Sequence, residues 1–216
     1  MLAIGVLASG SGSNLQAILD ACAKGRVPGR VAMVLSDKRD AHALDRARRA
    51  GVPSAFVDPA GRSREEHEGD MIARLDAASV GLVCLAGYMR ILTPVFVRHY
   101  AGRLLNVHPS LLPAFPGARA HRDVLLGGAK VSGCTIHFVE EAVDAGPIVA
   151  QAVVPVLADD TEETLARRVI AQEHRLYPQV VRWFAQGRLE VRGRQVRVKD
   201  APSSPGSTLC SPPVEP

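Results

Sequence analysis

The chain has 216 residues, 47% of them hydrophobic and 22% charged, the balance of an ordinary globule with room for one good-sized domain. No apolar run reaches the ~18 residues that span a bilayer. The N-terminus enters a strand-like run with no basic leader, so a cytoplasmic protein with no membrane partner is expected. The basic residues behind the net charge of +4 are spread along the chain, and one Trp, three Tyr and five Phe offer few surfaces for stacking on bases. Small anionic metabolites, not nucleic acid, are the expected ligands.

Residues 2–8 form a continuously apolar run, the pattern of a strand covered on both faces. The run opens into Ser9-Gly10-Ser11-Gly12-Ser13-Asn14 and then a helix-like stretch at 15–24. A Gly/Ser turn between a buried strand and a helix directs free backbone N–H groups outward at the positive end of the helix dipole, which suits a phosphate. It is neither the dinucleotide fingerprint, whose third Gly falls on Leu15, nor a Walker loop, because the lysine is missing. Ser11, Ser13 and Asn14 add donors that favour an anion site over a plain tight connection.

A second strand is predicted at 31–36, followed by a helix at 41–50 stopped by Gly51. Asp37 stands where dinucleotide folds carry a ribose-binding acid, but the Arg-rich helix after it reads it as a strand-end residue. Residues 53–57 make a short third strand. Ser63 with Glu66 three residues on is a capping box, opening a helix that ends near residue 78. The fourth strand, 81–87, is again apolar throughout. Strands alternating with helices, each strand buried on both faces, predict an α/β doubly wound, mostly parallel sheet.

The fifth strand, 103–108, carries two polar groups two residues apart, Asn106 and His108. Alternate residues on a strand share a face. A carboxamide and an imidazole side by side can stabilise a developing oxyanion. Pro109, Pro113, Pro116 and Gly117 then make a stiff loop that continues neither strand nor helix. A helix at 119–126 and two strands at 131–140 and 147–156 follow, an antiparallel addition to the sheet. The connection at 141–146 carries Asp144, either a simple turn-former or, if it folds over the end of the fifth strand, a partner that keeps His108 charged. The loop is expected to be mobile. A long helix begins at Thr161 and runs to about 186, with short strands at 189–192 and 195–199. Pro, Ser and Gly dominate from 201 on, which predicts a disordered tail. The division expected is a single domain over 1–200, with a mononucleotide-binding half at 1–100, a catalytic half at 101–200 and the tail at 201–216.

The cysteines Cys22, Cys84, Cys134 and Cys210 are scattered, with no C-x-x-C pair and no His at ligand spacing, so a reduced compartment and no zinc are expected. In doubly wound sheets ligands bind beyond the carboxyl ends of the strands. The Gly/Ser loop, the segment Tyr88-Met89-Arg90-Ile91-Leu92 and the Asn106/His108 pair all fall at that edge.

Four stretches, Gly-Ser-Gly-Ser-Asn-Leu-Gln-Ala-Ile (10–18), Leu-Ala-Gly-Tyr-Met-Arg-Ile-Leu (85–92), Asn-Val-His-Pro-Ser-Leu-Leu-Pro-Ala-Phe-Pro-Gly (106–117) and Asp-Ala-Gly-Pro-Ile (144–148), stand in the order found in a known family. Over about residues 2–190 the chain closely resembles the glycinamide ribonucleotide formyltransferases, folate-dependent enzymes of purine biosynthesis. The resemblance implies transfer of a formyl group from 10-formyltetrahydrofolate to the amine of phosphoribosylglycinamide, with Asn106, His108 and Asp144 catalytic. It implies Gly12, Ser13 and Asn14 on the substrate phosphate and Glu173 on the ribose hydroxyls. Arg64, Met89, Arg90, Ile91, Leu92, Asn106 and the loop Glu140, Glu141, Ala142, Val143 and Asp144 would flank the folate. No metal is implied, and the protein would act as a monomer or homodimer on small-molecule substrates. Two relatives on the same scaffold compete. A formyltetrahydrofolate hydrolase normally carries an extra N-terminal domain, and a methionyl-tRNA formyltransferase a larger basic C-terminal one; neither fits strand one starting at Leu2 or the short remainder after the last helix. A non-catalytic phosphate-binding module would have no reason to gather Asn106, His108 and Asp144.

Overall fold

In the computed structural model, which describes residues 1–200, strands and helices alternate through the first half: β1 (Leu2–Leu7), α1 (Ser13–Ala23), β2 (Gly29–Ser36), α2 (His42–Arg49), β3 (Ser54–Phe56), α3 (Arg64–Ala77), β4 (Leu82–Leu85), α4 (Pro94–His99) and β5 (Leu104–His108). The second half holds α5 (Ala120–Leu126), β6 (Val131–Phe138), β7 (Ile148–Pro155), α6 (Glu162–Ala185), β8 (Leu189–Arg192) and β9 (Gln195–Val198). The disordered tail expected at 201–216 lies outside the described residues.

These strands form one nine-stranded sheet in the order β3-β2-β1-β4-β5-β6-β7-β9-β8. β1 through β5 are parallel, while β5–β6 and β6–β7 are antiparallel. The chain builds outward from β1 to β3, then crosses back over β1 to place β4 on its other side. That reversal opens a crevice beyond the carboxyl ends of β1 and β4.

Both faces of the sheet are covered, so its strands read as near-continuous apolar runs. Ile4 and Val6 of β1 face one side and pack with Leu15 and Ile18 of α1 and Val169 and Val180 of α6. Leu7 of β1 faces the other side, with Met71 and Leu75 of α3 and Phe96 and Tyr100. Tyr177 of α6 is fully buried, its hydroxyl 3.1 Å from the Leu85 carbonyl and 3.0 Å from that of Leu105, which ties the helix to the ends of β4 and β5. Burial raises that phenol far above its ordinary value. No helix among the described residues is long and apolar enough to cross a membrane.

The fold class agrees with the sequence reading, and so does the Ser63/Glu66 capping box on α3. One element has no counterpart there: α4, six residues with two β-branched valines. Thr93-Pro94, an N-cap residue followed by Pro in the first helical position, is the local signal for it. Its shortness hides any periodicity.

Candidate active site

Asn106 and His108 lie on one face of β5, and antiparallel pairing sets them opposite His137 and Thr135 of β6. Four polar side chains thus meet on one patch of two adjacent strands. A register shift between Ile136 and His137 interrupts the β6–β7 ladder beside this patch, the kind of irregularity that re-aims a side chain. Thr135 is fully buried: its hydroxyl donates to the Ser110 carbonyl at 2.7 Å and accepts from the Leu112 N–H at 3.0 Å. Gln151 of β7 donates to the Leu112 carbonyl at 2.9 Å. The proline loop is therefore fastened to the second half of the sheet from below.

His108 is 5% exposed, and each of its ring nitrogens faces an oxygen. Nε2 lies 3.1 Å from the Phe115 carbonyl, and Nδ1 lies 3.5 Å from Oδ2 of Asp144. The same Oδ2 accepts the Gly117 N–H at 2.9 Å. Phe115 (φ 54) and Asp144 (φ 52) both adopt the left-handed conformation, which costs a non-glycine residue about 1 kcal/mol or more. Both residues flanking the imidazole are thus held away from relaxed backbone, a conformation shared by Ser79 and Asp200 elsewhere. Gly146 closes the connection: a Cβ there would collide with the Phe138 carbonyl. Arg98 donates to Glu141 at 2.6 Å on the outer side.

His137, which the sequence reading passed over, is 2% exposed. Its Nδ1 lies 2.8 Å from the Phe138 carbonyl and so must donate, leaving Nε2 to accept. The Asn106 amide stands 3.2 Å from Nε2 and Oδ1 of Asp144 is 3.8 Å away. Burial pushes the pKa of His137 down, with the Phe138 carbonyl and Asp144 opposing. A neutral His137 therefore fixes the Asn106 amide group by accepting one of its two N–H bonds. A His near the end of a strand gave no sign of this, because the partner is set by cross-strand register.

Above these groups lies a cleft of about 350 Å³. Met89, Arg90, Ile91 and Leu92 form one wall, Glu140, Glu141, Val143 and Asp144 the other, and Asn106, His108 and His137 the floor. Met89 and Ile91 are exposed apolar side chains turned to this space. Of the residues the sequence assigned to it, Arg64 and Ala142 lie outside its lining. Arg64 is the exposed first residue of α3.

The glycine loop lies apart, at the end of β1. Gly12 caps α1 with φ 68, and a Cβ there would come within 2.7 Å of the Ala43 backbone, so only glycine fits. Ser13 and Asn14 open the helix, with their N–H groups in its first turn. The Asn14 amide donates to Oε2 of Glu173 at 2.7 Å, both residues nearly buried, and Oδ1 of Asn14 has no partner. Burial raises the Glu173 pKa, opposed by the Asn14 bond. Asp37 accepts the Ser9 hydroxyl at 2.6 Å, the strand-end role. Among the described residues no group of three His, Cys, Asp or Glu is placed to hold a metal, and Cys22, Cys84 and Cys134 are free thiols.

An open α/β sheet with a phosphate-type loop at one strand end and a carboxamide–imidazole–carboxylate cluster two strands away suits an enzyme acting at a carbonyl-type carbon. The formyl transferase family model matches residues 2–181, and the chain belongs to that family. It is 50% identical over 187 residues to a phosphoribosylglycinamide formyltransferase of Escherichia coli strain K12, covering 86% of this chain and 88% of that protein. The crystal structure of glycinamide ribonucleotide transformylase 1 from Symbiobacterium toebii matches with a TM-score of 0.91 and 57% identity, over 93% of this chain and 95% of that one. A formyltetrahydrofolate deformylase from Pseudomonas syringae pv. tomato matches with a TM-score of 0.87 at 28% identity, over 92% of this chain but 66% of that one.

Proposed function

We propose that this protein transfers the formyl group of 10-formyltetrahydrofolate to the amine of phosphoribosylglycinamide, a step of purine biosynthesis. The observation that carries the reading is that Asn106 and His108, with Asp144 beside the imidazole, line one cleft. The amine attacks the formyl carbon, and the carbonyl oxygen takes up negative charge. The Asn106 N–H not held by His137 is the direct donor to that oxygen. His108 already faces oxygens at both ring nitrogens, so in this reading it acts on the developing oxyanion through space and not as a second direct donor. The proton lost by the attacking amine reaches the folate nitrogen through Asp144 and water as the carbon–nitrogen bond breaks. Formylfolate is a co-substrate, and the protein's groups suffice without a covalent enzyme intermediate.

In this reading the flat folate ring lies against Met89, Ile91, Leu92 and Val143, with Arg90 and Arg64 toward its anionic tail. The substrate phosphate sits on the N–H groups of Gly12, Ser13 and Asn14, and Glu173 accepts from the ribose. β1 and β5 stand two strands apart, about 10 Å at ordinary strand spacing, the scale of a phosphorylated sugar. Residues 1–200 act as one catalytic unit in the cytoplasm, as a monomer or homodimer. The test mixes the protein with both substrates and follows folate absorbance. Turnover that requires the ribonucleotide is the expected result. Loss of the formyl group without it would make the protein a hydrolase, and no change at all a binding module.

A further inference from the structure

Tyr88 and Leu92 pack the 88–92 wall against the core, while Met89 and Ile91 between them turn apolar side chains out into the cleft. Polar bonds fix its two ends as well. At the near end, Ser9 Oγ accepts the Met89 N–H at 2.9 Å while donating to buried Asp37. At the far end stands Glu68 of α3, a side chain only 3% exposed. It accepts the Thr93 N–H through both oxygens, at 3.0 and 3.1 Å, and the Thr93 hydroxyl through Oε2.

This arrangement forgoes a simpler one. Thr93 is the N-cap of α4, and its hydroxyl makes no capping bond to its own helix, although a local cap would stabilise that helix. The hydroxyl turns instead to a carboxylate 25 positions back in the chain. Burying a carboxylate is costly unless its bonds are satisfied, and here all the bonds it makes go to the residue that ends the wall. Local capping would stabilise α4; the observed bonds fix where the wall stands relative to α3.

We propose that Glu68 is a positioning residue for the folate subsite, acting through Thr93 to set the place of the Met89–Leu92 wall. The proposal rests on the function proposed above, and its test separates the two. Initial rates are measured with the formylfolate and the ribonucleotide varied independently, for wild type, Glu68→Ala and Glu68→Gln. Losing a charge-assisted bond at the wall predicts a KM for formylfolate about tenfold higher in Glu68→Ala, with kcat and the ribonucleotide KM within about twofold. Glu68→Gln keeps an acceptor oxygen and restores most of the affinity. If Glu68→Ala does not fold, Thr93→Val carries the test, with about a threefold rise in the same KM. Unchanged constants, or both KM values and kcat moving together, would overturn the proposal. Hydrogen exchange at the Thr93 amide gives a readout that needs no turnover: protection falls at least tenfold in Glu68→Ala while the β4 and β5 amides keep theirs. Retained protection at Thr93 overturns the clamp itself. A wild-type protein that transfers no formyl group sinks the functional reading and the folate half of this proposal with it, and the exchange result tells that failure from a failure of the clamp.

Discussion

The parallel half of the sheet and its antiparallel half place chemistry by different means. In β1, β2 and β4 the buried positions are apolar along the strand except Ser36 at the end of β2, and what functions lies past the strand end: backbone N–H groups of the glycine loop, the 88–92 wall. In β5 and β6 the polar groups stand within the strands, and register brings Asn106 opposite His137 and His108 opposite Thr135. A parallel strand covered by helices on both faces has no room for a polar side chain without a partner. An antiparallel pair beside an open cleft supplies partners across the ladder. The first half thus offers shape and backbone donors, the second titratable side chains.

Substitutions can break this division in either half. The largest effect is expected from Asn106→Ala or His108→Ala, each lowering kcat on the order of 10²-fold or more in steady-state assays. In the parallel half the matching change is Gly12→Ala. Left-handed backbone and overlap with Ala43 predict a loss of about 3 kcal/mol in denaturant unfolding, and a weakened phosphate site with it. Thr135→Val leaves the Leu112 N–H and the Gln151 amide short of a partner in the antiparallel half. Unfolding should show about 2 kcal/mol of destabilisation, with activity lost through the displaced proline loop.

His137→Phe sharpens the comparison further, since it fills the same space but cannot accept the Asn106 N–H. A kcat lower on the order of tenfold is expected, with the formylfolate KM little changed. The smallest expected effect is on pH-dependent stability. Burial lowers the pKa of His121, His137 and His174 below the ordinary 6.5. Between the lowered folded values and 6.5 the unfolded chain therefore binds more protons. Stability should be full above pH 6.5 and fall as the pH drops below it. Thermal unfolding across that window, repeated with His137→Phe, should show a shallower decline in the variant.

The limits of reading the chain unfolded follow the same division. Elements of the parallel half were legible because each is a local pattern: an apolar run, a capping box at Ser63, a glycine after a helix. The pair Asn106 and His108 was legible too, because strand period alone puts them on one face. His137 was not, since its meaning lies in a register 31 residues away along the chain. Glu68 reads in sequence as one more charged helix residue, and α4 is too short to show a period.

The sequence by itself determined the alternation of strands and helices, the glycine turn, the Asn106/His108 face and the family, since each rests on neighbours within a few positions or on an ordered set of motifs. Only the tertiary structure decided which oxygens face His108, which nitrogen of His137 accepts, and what the carboxylates of Asp144 and Glu68 touch. Apart from the carbonyls of Phe115 and Phe138, those contacts join segments 25 or more residues apart. A hydrogen bond is decided within a few tenths of an ångström, and that scale is set by packing and not by any spacing along the chain.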